Sequence, residues 1–151
     1  MRRSLGVTLV LLSTALLPGV VQGQQAEAAG ARQVPESGFE LGANYPNPIN
    51  PDTRIPFDLY EGIFPEGRPA NVTMRIFNIL RQYVASPTAL GHPAGDGTPI
   101  VDLEYAAPGH YEAHWDGRDR SGSYVPSGVY YLDLTVNGHS QLRRLLVSGS
   151  G

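Results

Sequence analysis

The sequence predicts an all-β protein, a sandwich or barrel of about seven strands. From residue 53 onward, short segments that alternate apolar and polar residues are separated by segments rich in Gly, Pro, Asn and Asp. No apolar period of 3.6 residues appears after residue 23. The densest turn chemistry joins an alternating run that ends at Trp115 to another that begins at Tyr130, as expected where two apolar strands are brought together.

The first 23 residues predict a secretory signal peptide. Arg2 and Arg3 precede an apolar run from Leu5 to Leu17, and compact residues at 21–23 fit a cleavage site. A membrane-spanning helix needs about 20 apolar residues, so cleavage is favoured over a permanent anchor. The mature chain is therefore expected outside the cytoplasm, without a membrane span.

Residues 24–40 predict a flexible leader, because they contain few large apolar residues and cannot bury enough surface to offset the entropy lost on ordering. A short amphipathic helix at 26–32 is the alternative. The sandwich is then expected to occupy residues 41–151.

Residues 41–53 predict a stiff, extended strap at the edge of the sandwich. Three prolines within six residues exclude a helix and a central strand, and two asparagines stand directly before prolines, where extended geometry is favoured. The residues that define the strap are Asn44, Pro46, Asn47, Pro48, Asn50 and Pro51.

Seven alternating segments predict the strands that follow. They are residues 54–60, 72–77, 82–86, 100–105, 110–115, 129–137 and 140–147. Pro56 predicts that the first of these lies at a sheet edge or starts late. The dipeptide Asn137-Gly138 predicts a type I′ turn between the last two, and residues 87–97 are expected to form a mobile loop.

Charge and composition exclude several functions. The formal charge is −3 and falls to −5 once Arg2 and Arg3 are removed, and Arg143-Arg144 is then the only adjacent basic pair, which argues against nucleic acid as a partner. The absence of Cys excludes disulfides and thiolate metal sites. All eleven basic residues are Arg, which excludes covalent chemistry through lysine.

Three stretches together resemble a bacterial domain group, which comprises the C-terminal sorting domains of type IX secretion cargo and the immunoglobulin-like domain of the flagellar hook-capping protein. The similarity covers roughly residues 41–148. The stretches are residues 44–53, residues 75–80, and the series Trp115-Asp116-Gly117-Arg118-Asp119 with Gly122, Ser127, Gly128 and Tyr130.

The resemblance implies an immunoglobulin-like β-sandwich that acts at the bacterial cell surface, as a secretion, sorting or surface-attachment module. Its expected partner is the secretion machinery, another cell-envelope component, or a copy of itself. Where the family usually has Gly, after the Asn-Ile-Leu segment, this chain has Arg81, which predicts that the turn is made differently.

Two groups of side chains are candidate metal sites. His110, Glu112 and His114 alternate on one strand, so neighbours in the series are about 6.6 Å apart and two of them could share an ion. A solvent-facing row is the favoured interpretation. Asp116 and Asp119 could gather around Ca²⁺, but Arg118 and Arg120 stand beside them, so turn capping with Asp–Arg pairing is favoured and no cofactor is predicted.

No nucleophile elbow or metalloprotease motif appears, so the chain is predicted not to be an enzyme. Two alternatives to the sorting role stay open. A subunit of an extracellular assembly would pair through an exposed edge strand, and a carbohydrate-binding module would use outward tyrosines such as Tyr131.

Arg143 and Arg144 are the predicted interaction residues. As neighbours on a strand they point to opposite faces, so one is expected to reach an acidic partner while the other packs over the sheet. Four residues follow this strand, which predicts that its edge is accessible to a partner.

Overall fold

The computed structural model describes residues 33–149. The predicted signal peptide and residues 24–32 of the leader lie outside this range. Within it, no helix has the length and apolar character needed to cross a bilayer. The strands are β1 Phe39–Leu41, β2 Thr53–Leu59, β3 Ala70–Phe77, β4 Tyr83–Ala85, β5 Thr88–Leu90, β6 Leu103–Tyr105, β7 Gly109–Trp115, β8 Gly128–Val136 and β9 His139–Val147.

The strands form two antiparallel sheets, which confirms the predicted all-β sandwich. The first sheet has the order β1-β2-β7-β5. The second has the order β4-β3-β8-β9, and β6 pairs with the other half of β3. Two short 3-10 turns, Glu61–Ile63 and Pro65–Gly67, lie between β2 and β3.

The core fills the space between the sheets, because alternate residues of each strand face inward. From the first sheet it takes Ile55, Phe57, Leu59, Ala113 and Trp115, and from the second it takes Val72, Met74, Ile76, Tyr130, Leu132 and Leu134. Complete burial of each large apolar side chain contributes roughly 1.5–3 kcal/mol. In β2 and β3 the buried residues are the ones on the apolar side of the sequence alternation.

Two strands escaped the sequence analysis. β1 begins at Phe39, which is fully buried, so the end of the predicted leader belongs to the first sheet. β5 lies inside residues 87–97, where a mobile loop was predicted; that prediction is wrong, since Ala89 is fully buried opposite Ala113. Three-residue strands are too short to show a period of two, and their pairing depends on distant residues.

The predicted edge position of Pro56 is also wrong, because β2 lies between β1 and β7. Pro56 is tolerated there because it stands beyond the last β1 residue paired with β2, Leu41. The carbonyl of Pro56 accepts a hydrogen bond from the N–H of Gly42. The side of β2 on which Pro56 lacks an N–H therefore faces the residues just after β1.

The hairpin between β8 and β9 has the predicted turn. Asn137 and Gly138 have φ of 48° and 86°, as a type I′ turn requires. Asn137 also ties the hairpin to the rest of the molecule, because its side chain accepts from the N–H of Asn71 and donates to the carbonyl of Ile63.

Candidate protein-binding surface

The strap and the turn after Trp115, two of the stretches that carry the family resemblance, meet at one corner of the sandwich. Thr53, which begins β2, pairs directly with Trp115 at the end of β7. The next turn brings Gly117, with φ of 75°, so close to Pro51 that an added Cβ would lie 2.2 Å from the Pro51 carbonyl oxygen. The motif residues therefore build this corner.

Buried Asn44 fixes the start of the strap, because its Nδ2 donates to the carbonyl of Pro46 and to Thr53 Oγ1, both at 3.2 Å. On the other side of the corner, the Tyr130 hydroxyl donates to the carbonyl of Pro126 at 2.7 Å. Ser127 packs closely against Gly149. The remaining motif residues lie exposed on the surface of the strap or the turn: Pro46, Asn47, Pro48, Asn50, Gly122 and Gly128.

Asp116 and Asp119 act as turn caps. Asp116 accepts from the N–H of Arg118, and Asp119 Oδ1 accepts from the N–H groups of Ser121 and Ser123 and from the Ser121 hydroxyl. These bonds, the Ser121 hydroxyl first, lower the pKa of Asp119.

The predicted Asp–Arg pairing in this turn is not observed. The guanidinium of Arg118 lies 4.2 Å from the ring centre of Tyr124, and that of Arg120 lies 4.6 Å from the ring centre of Tyr83. Across residues 33–149, no group of three or more His, Asp or Glu side chains has an arrangement suited to a metal ion.

The outer face of the first sheet carries a ladder of charged pairs that includes the predicted row on β7. His110 Nδ1 lies 2.7 Å from Asp58 Oδ1, and His114 Nε2 lies 2.9 Å from Asp52 Oδ2. Between them, Glu112 accepts from Arg54 at 3.1 Å and from the Tyr45 hydroxyl. The row faces solvent, and each member is matched by a neighbour from β2 or the strap.

This ladder predicts acid sensitivity. The bond from Tyr45, followed by Arg54, lowers the pKa of Glu112, and the bond from His114 lowers that of Asp52. A carboxyl with a lowered pKa in the fold stabilises the fold above its unfolded value of about 4, and this contribution disappears as the pH falls through the folded value. We expect the free energy of unfolding to decrease below about pH 4.

Glu112→Gln should make that decrease shallower, as measured by urea denaturation at a series of pH values. A matched control is Glu66→Gln, because Glu66 is exposed and forms only a 3.6 Å pair with Arg68. An unchanged pH profile in Glu112→Gln would contradict the role given to the ladder.

The edge of the last strand is less accessible than predicted. The strap reaches β9 through Ile49. The N–H of Ile49 donates to the carbonyl of Leu146, and the carbonyl of Ile49 accepts from the N–H of Ser148. Arg143 turns inward and donates to the carbonyl of Leu41, so it closes the seam between the sheets. Arg144 is exposed on the opposite face. Of the two predicted interaction residues, only Arg144 is placed to meet a partner.

The outer face of the second sheet is where apolar surface is exposed. Tyr83, Phe77 and Tyr131 stand side by side across β4, β3 and β8, and we call these three rings the aromatic row; Arg144 of β9 stands next to Tyr131 at its end. Half of the large exposed apolar side chains between residues 33 and 149 lie around it, which sets this face apart from the rest of the surface. They are Ile79, Leu80, Leu142 and Leu146.

A groove of about 420 Å³ crosses this face. Its lining residues are Phe77, Ile79, Arg81, Tyr131, Asp133 and Leu142. The turn of residues 78–81 forms one wall, and this turn is held by the side chain of Asn78, whose Oδ1 accepts from the N–H groups of Leu80 and Gln82.

Arg81 occupies this turn in a left-handed conformation, with φ of 61°. Arg81 thus adopts a backbone conformation that suits Gly. For a side chain with a Cβ this conformation costs roughly 1 kcal/mol. The strained residue lines the groove, and strain of this kind often marks a functional position.

The part of this face around the aromatic row is also cationic, whereas Asp102 and Glu104 lie at its other end, beside Thr73 and Asn71. Four arginines surround the aromatic row, and no carboxylate in the described part of the chain forms an ion pair with any of them. One carboxylate, Asp133, lies in the groove. The arginines are Arg75, Arg81, Arg120 and Arg144.

Sequence reasoning identified Tyr131 and Arg144 but missed the surface they belong to. The sequence predicts a turn at Ile79 and Leu80 and a strand at Leu142, and these predictions do not by themselves bring the three side chains together. The signal that could have found them is the presence of bulky apolar residues at positions that the alternation places outside.

Comparisons with known proteins give fold-level likeness only. No protein-family model and no curated protein matches the chain. Dimeric latent PorU from Porphyromonas gingivalis matches at 17% identity and a TM-score of 0.48, over 74% of this chain and 9% of that one. PorZ, an essential surface component of the type-IX secretion system of the same bacterium, matches at 18% identity and a TM-score of 0.42, over 85% of this chain and 13% of its own. The chain therefore spans a small part of either protein, and at these scores the likeness assigns it no role.

Proposed function

We propose that this domain is a non-enzymatic interaction module at the bacterial cell surface, with a secretion, sorting or attachment role. The observation that carries the proposal is the outer face of the second sheet, where exposed Ile79 and Leu142 line a groove and exposed Leu80 follows Ile79 in the turn beside it. Exposed apolar surface of this kind, bordered by charged side chains, is typical of protein–protein interaction sites.

The sequence supports the cell-surface part of the proposal. The predicted signal peptide at 1–23 directs the chain out of the cytoplasm. Three stretches resemble the type IX sorting and hook-capping domain group, and the structure shows that two of them, the strap and the turn after Trp115, build one corner around Pro51 and Gly117. This corner supports the resemblance, and the exposed face is then what remains for recognition.

A reporter fusion tests the proposal. Residues 33–151 are placed behind a reporter enzyme that carries its own export signal, in a bacterium with a type IX secretion system. We expect the reporter to become accessible to protease on intact cells, and the same reporter without the domain to stay in the periplasm. Retention of the fusion in the periplasm, with the domain folded by circular dichroism, would contradict a sorting role and favour the assembly or glycan-binding alternative.

A further inference from the structure

We propose that the groove on the outer face of the second sheet binds an acidic, apolar polypeptide segment of a partner protein. This inference rests on the proposed function and names the chemistry of the partner. It combines three observations: exposed aliphatic side chains, a row of aromatic rings, and arginines that no carboxylate pairs with.

The exposed apolar side chains indicate that the partner is a polypeptide. Ile79, Leu80 and Leu142 are between 66% and 73% exposed, and they offer neither donors nor acceptors. Aliphatic side chains of a polypeptide bury this surface well, whereas the hydroxyl groups of a sugar would lose water without gaining bonds. The rings of Phe77 and Tyr83 are inclined at 54°, so they do not form a flat platform for a sugar ring.

The charges of this face indicate that the partner segment is acidic. Arg75 faces Asp133 across the strands without an ion pair, and Arg81 and Arg144 stand at the groove and at the end of the aromatic row. Guanidinium groups bind carboxylates through two parallel bonds, which gives both strength and orientation. A segment with Asp or Glu beside large apolar residues therefore satisfies the whole face.

A second copy of the chain fits the groove poorly. Two such faces would bring four arginines against four, which opposes face-to-face pairing. The outer face of the first sheet has carboxylates, but they are already matched by His110, His114 and Arg54.

Arg81 gives the inference its sharpest test, because Gly suits the backbone there better than Arg does. If the guanidinium serves binding, Arg81→Gly keeps or raises stability while it weakens binding. The matched control is Glu66→Gly, which relieves a left-handed residue of φ 57° in a distant turn and leaves the groove unchanged.

The experiment selects random dodecapeptides displayed on phage against the full chain and measures the affinity of labelled winners by fluorescence anisotropy. We expect the selected peptides to be acidic and rich in large apolar residues. Arg81→Gly should weaken them at least five-fold and Leu142→Ser at least ten-fold. The control variants Glu66→Gly and Val34→Ser should bind the peptides as the unmodified chain does. Val34 is a suitable control for Leu142 because it is also a well-exposed aliphatic residue.

Several results would overturn the proposal. Selection of neutral or basic peptides would contradict the inference that the partner is acidic. Acidic peptides that bind Leu142→Ser with unchanged affinity would place the site elsewhere. Dextran sulfate that binds tighter than any selected peptide, and depends on Arg81 but not on Leu142, would indicate a polyanion site. A dimer in sedimentation that Leu142→Ser dissociates would make a second copy the occupant. A fusion that reaches the cell surface even with Leu142→Ser, together with unaffected peptide binding, would keep the proposed function and reject this inference.

Discussion

Trp115→Ala is expected to lower the free energy of unfolding by about 3–5 kcal/mol, through lost burial and a residual cavity between the sheets. Trp115 is 2% exposed, and its ring meets that of Tyr130 edge to face at a centroid distance of 6.0 Å. Its Nε1 donates to the carbonyl of Arg118 at 2.9 Å, so the substitution also removes the donor that anchors the following turn.

Tyr131→Ala is the matched comparison, because Tyr131 follows Tyr130 on β8 but points to the outer face, where it is only half-buried. Its loss should be far smaller than that of Trp115→Ala when both are measured by chemical denaturation. Equal losses, or a loss below about 1.5 kcal/mol for Trp115→Ala, would contradict the role of Trp115 as the anchor of the core.

Gly117→Ala is expected to destabilise by about 2–4 kcal/mol, from a left-handed backbone and a steric clash together. Its φ is 75°, and the new Cβ would lie 2.2 Å from the carbonyl oxygen of Pro51. The neighbouring backbone is held on both sides: Val125 donates to the carbonyl of Gly117, and Thr53, two residues after Pro51, begins β2. The backbone therefore cannot shift easily to relieve the clash.

Gly122→Ala separates the two contributions. Gly122 has a φ of 86° in the same turn assembly, but nothing lies within 4 Å of where its Cβ would be. Its substitution should cost only the backbone part, roughly 1 kcal/mol. Thermal and urea denaturation of both variants measure the difference. Similar losses would show that the contact between the strap and the turn is looser than the structure indicates.

The turn residues show how much local chemistry determines. Asn137-Gly138 predicted its hairpin, and the apolar side of the alternation in β2 and β3 is the side that is buried. These features depend on the dihedral preferences of single residues and on which face of one strand is apolar. Such information is local, so it can be read along the chain.

The errors came where partners are distant in sequence. β5 was taken for a mobile loop because Thr88-Ala89-Leu90 has no readable period, yet it pairs with β7 some 25 residues later. Pro56 predicts an edge because nothing near it in the sequence indicates that β1 ends beside it. The edge of β9 was predicted open because nothing in residues 140–147 indicates that Ile49 covers its end.

By itself the sequence determined the fold class, the core positions, the expected export and the residues that build the Trp115 corner. Only the tertiary structure decided which surface is free for a partner. It paired the carboxylates of the first sheet with His110, His114 and Arg54, and turned Arg143 inward. On the second sheet it left the apolar side chains and the arginines uncovered. The physical reason is that whether a charge or an apolar side chain is available depends on its spatial neighbours, and in a sandwich these neighbours come from strands far apart in the chain.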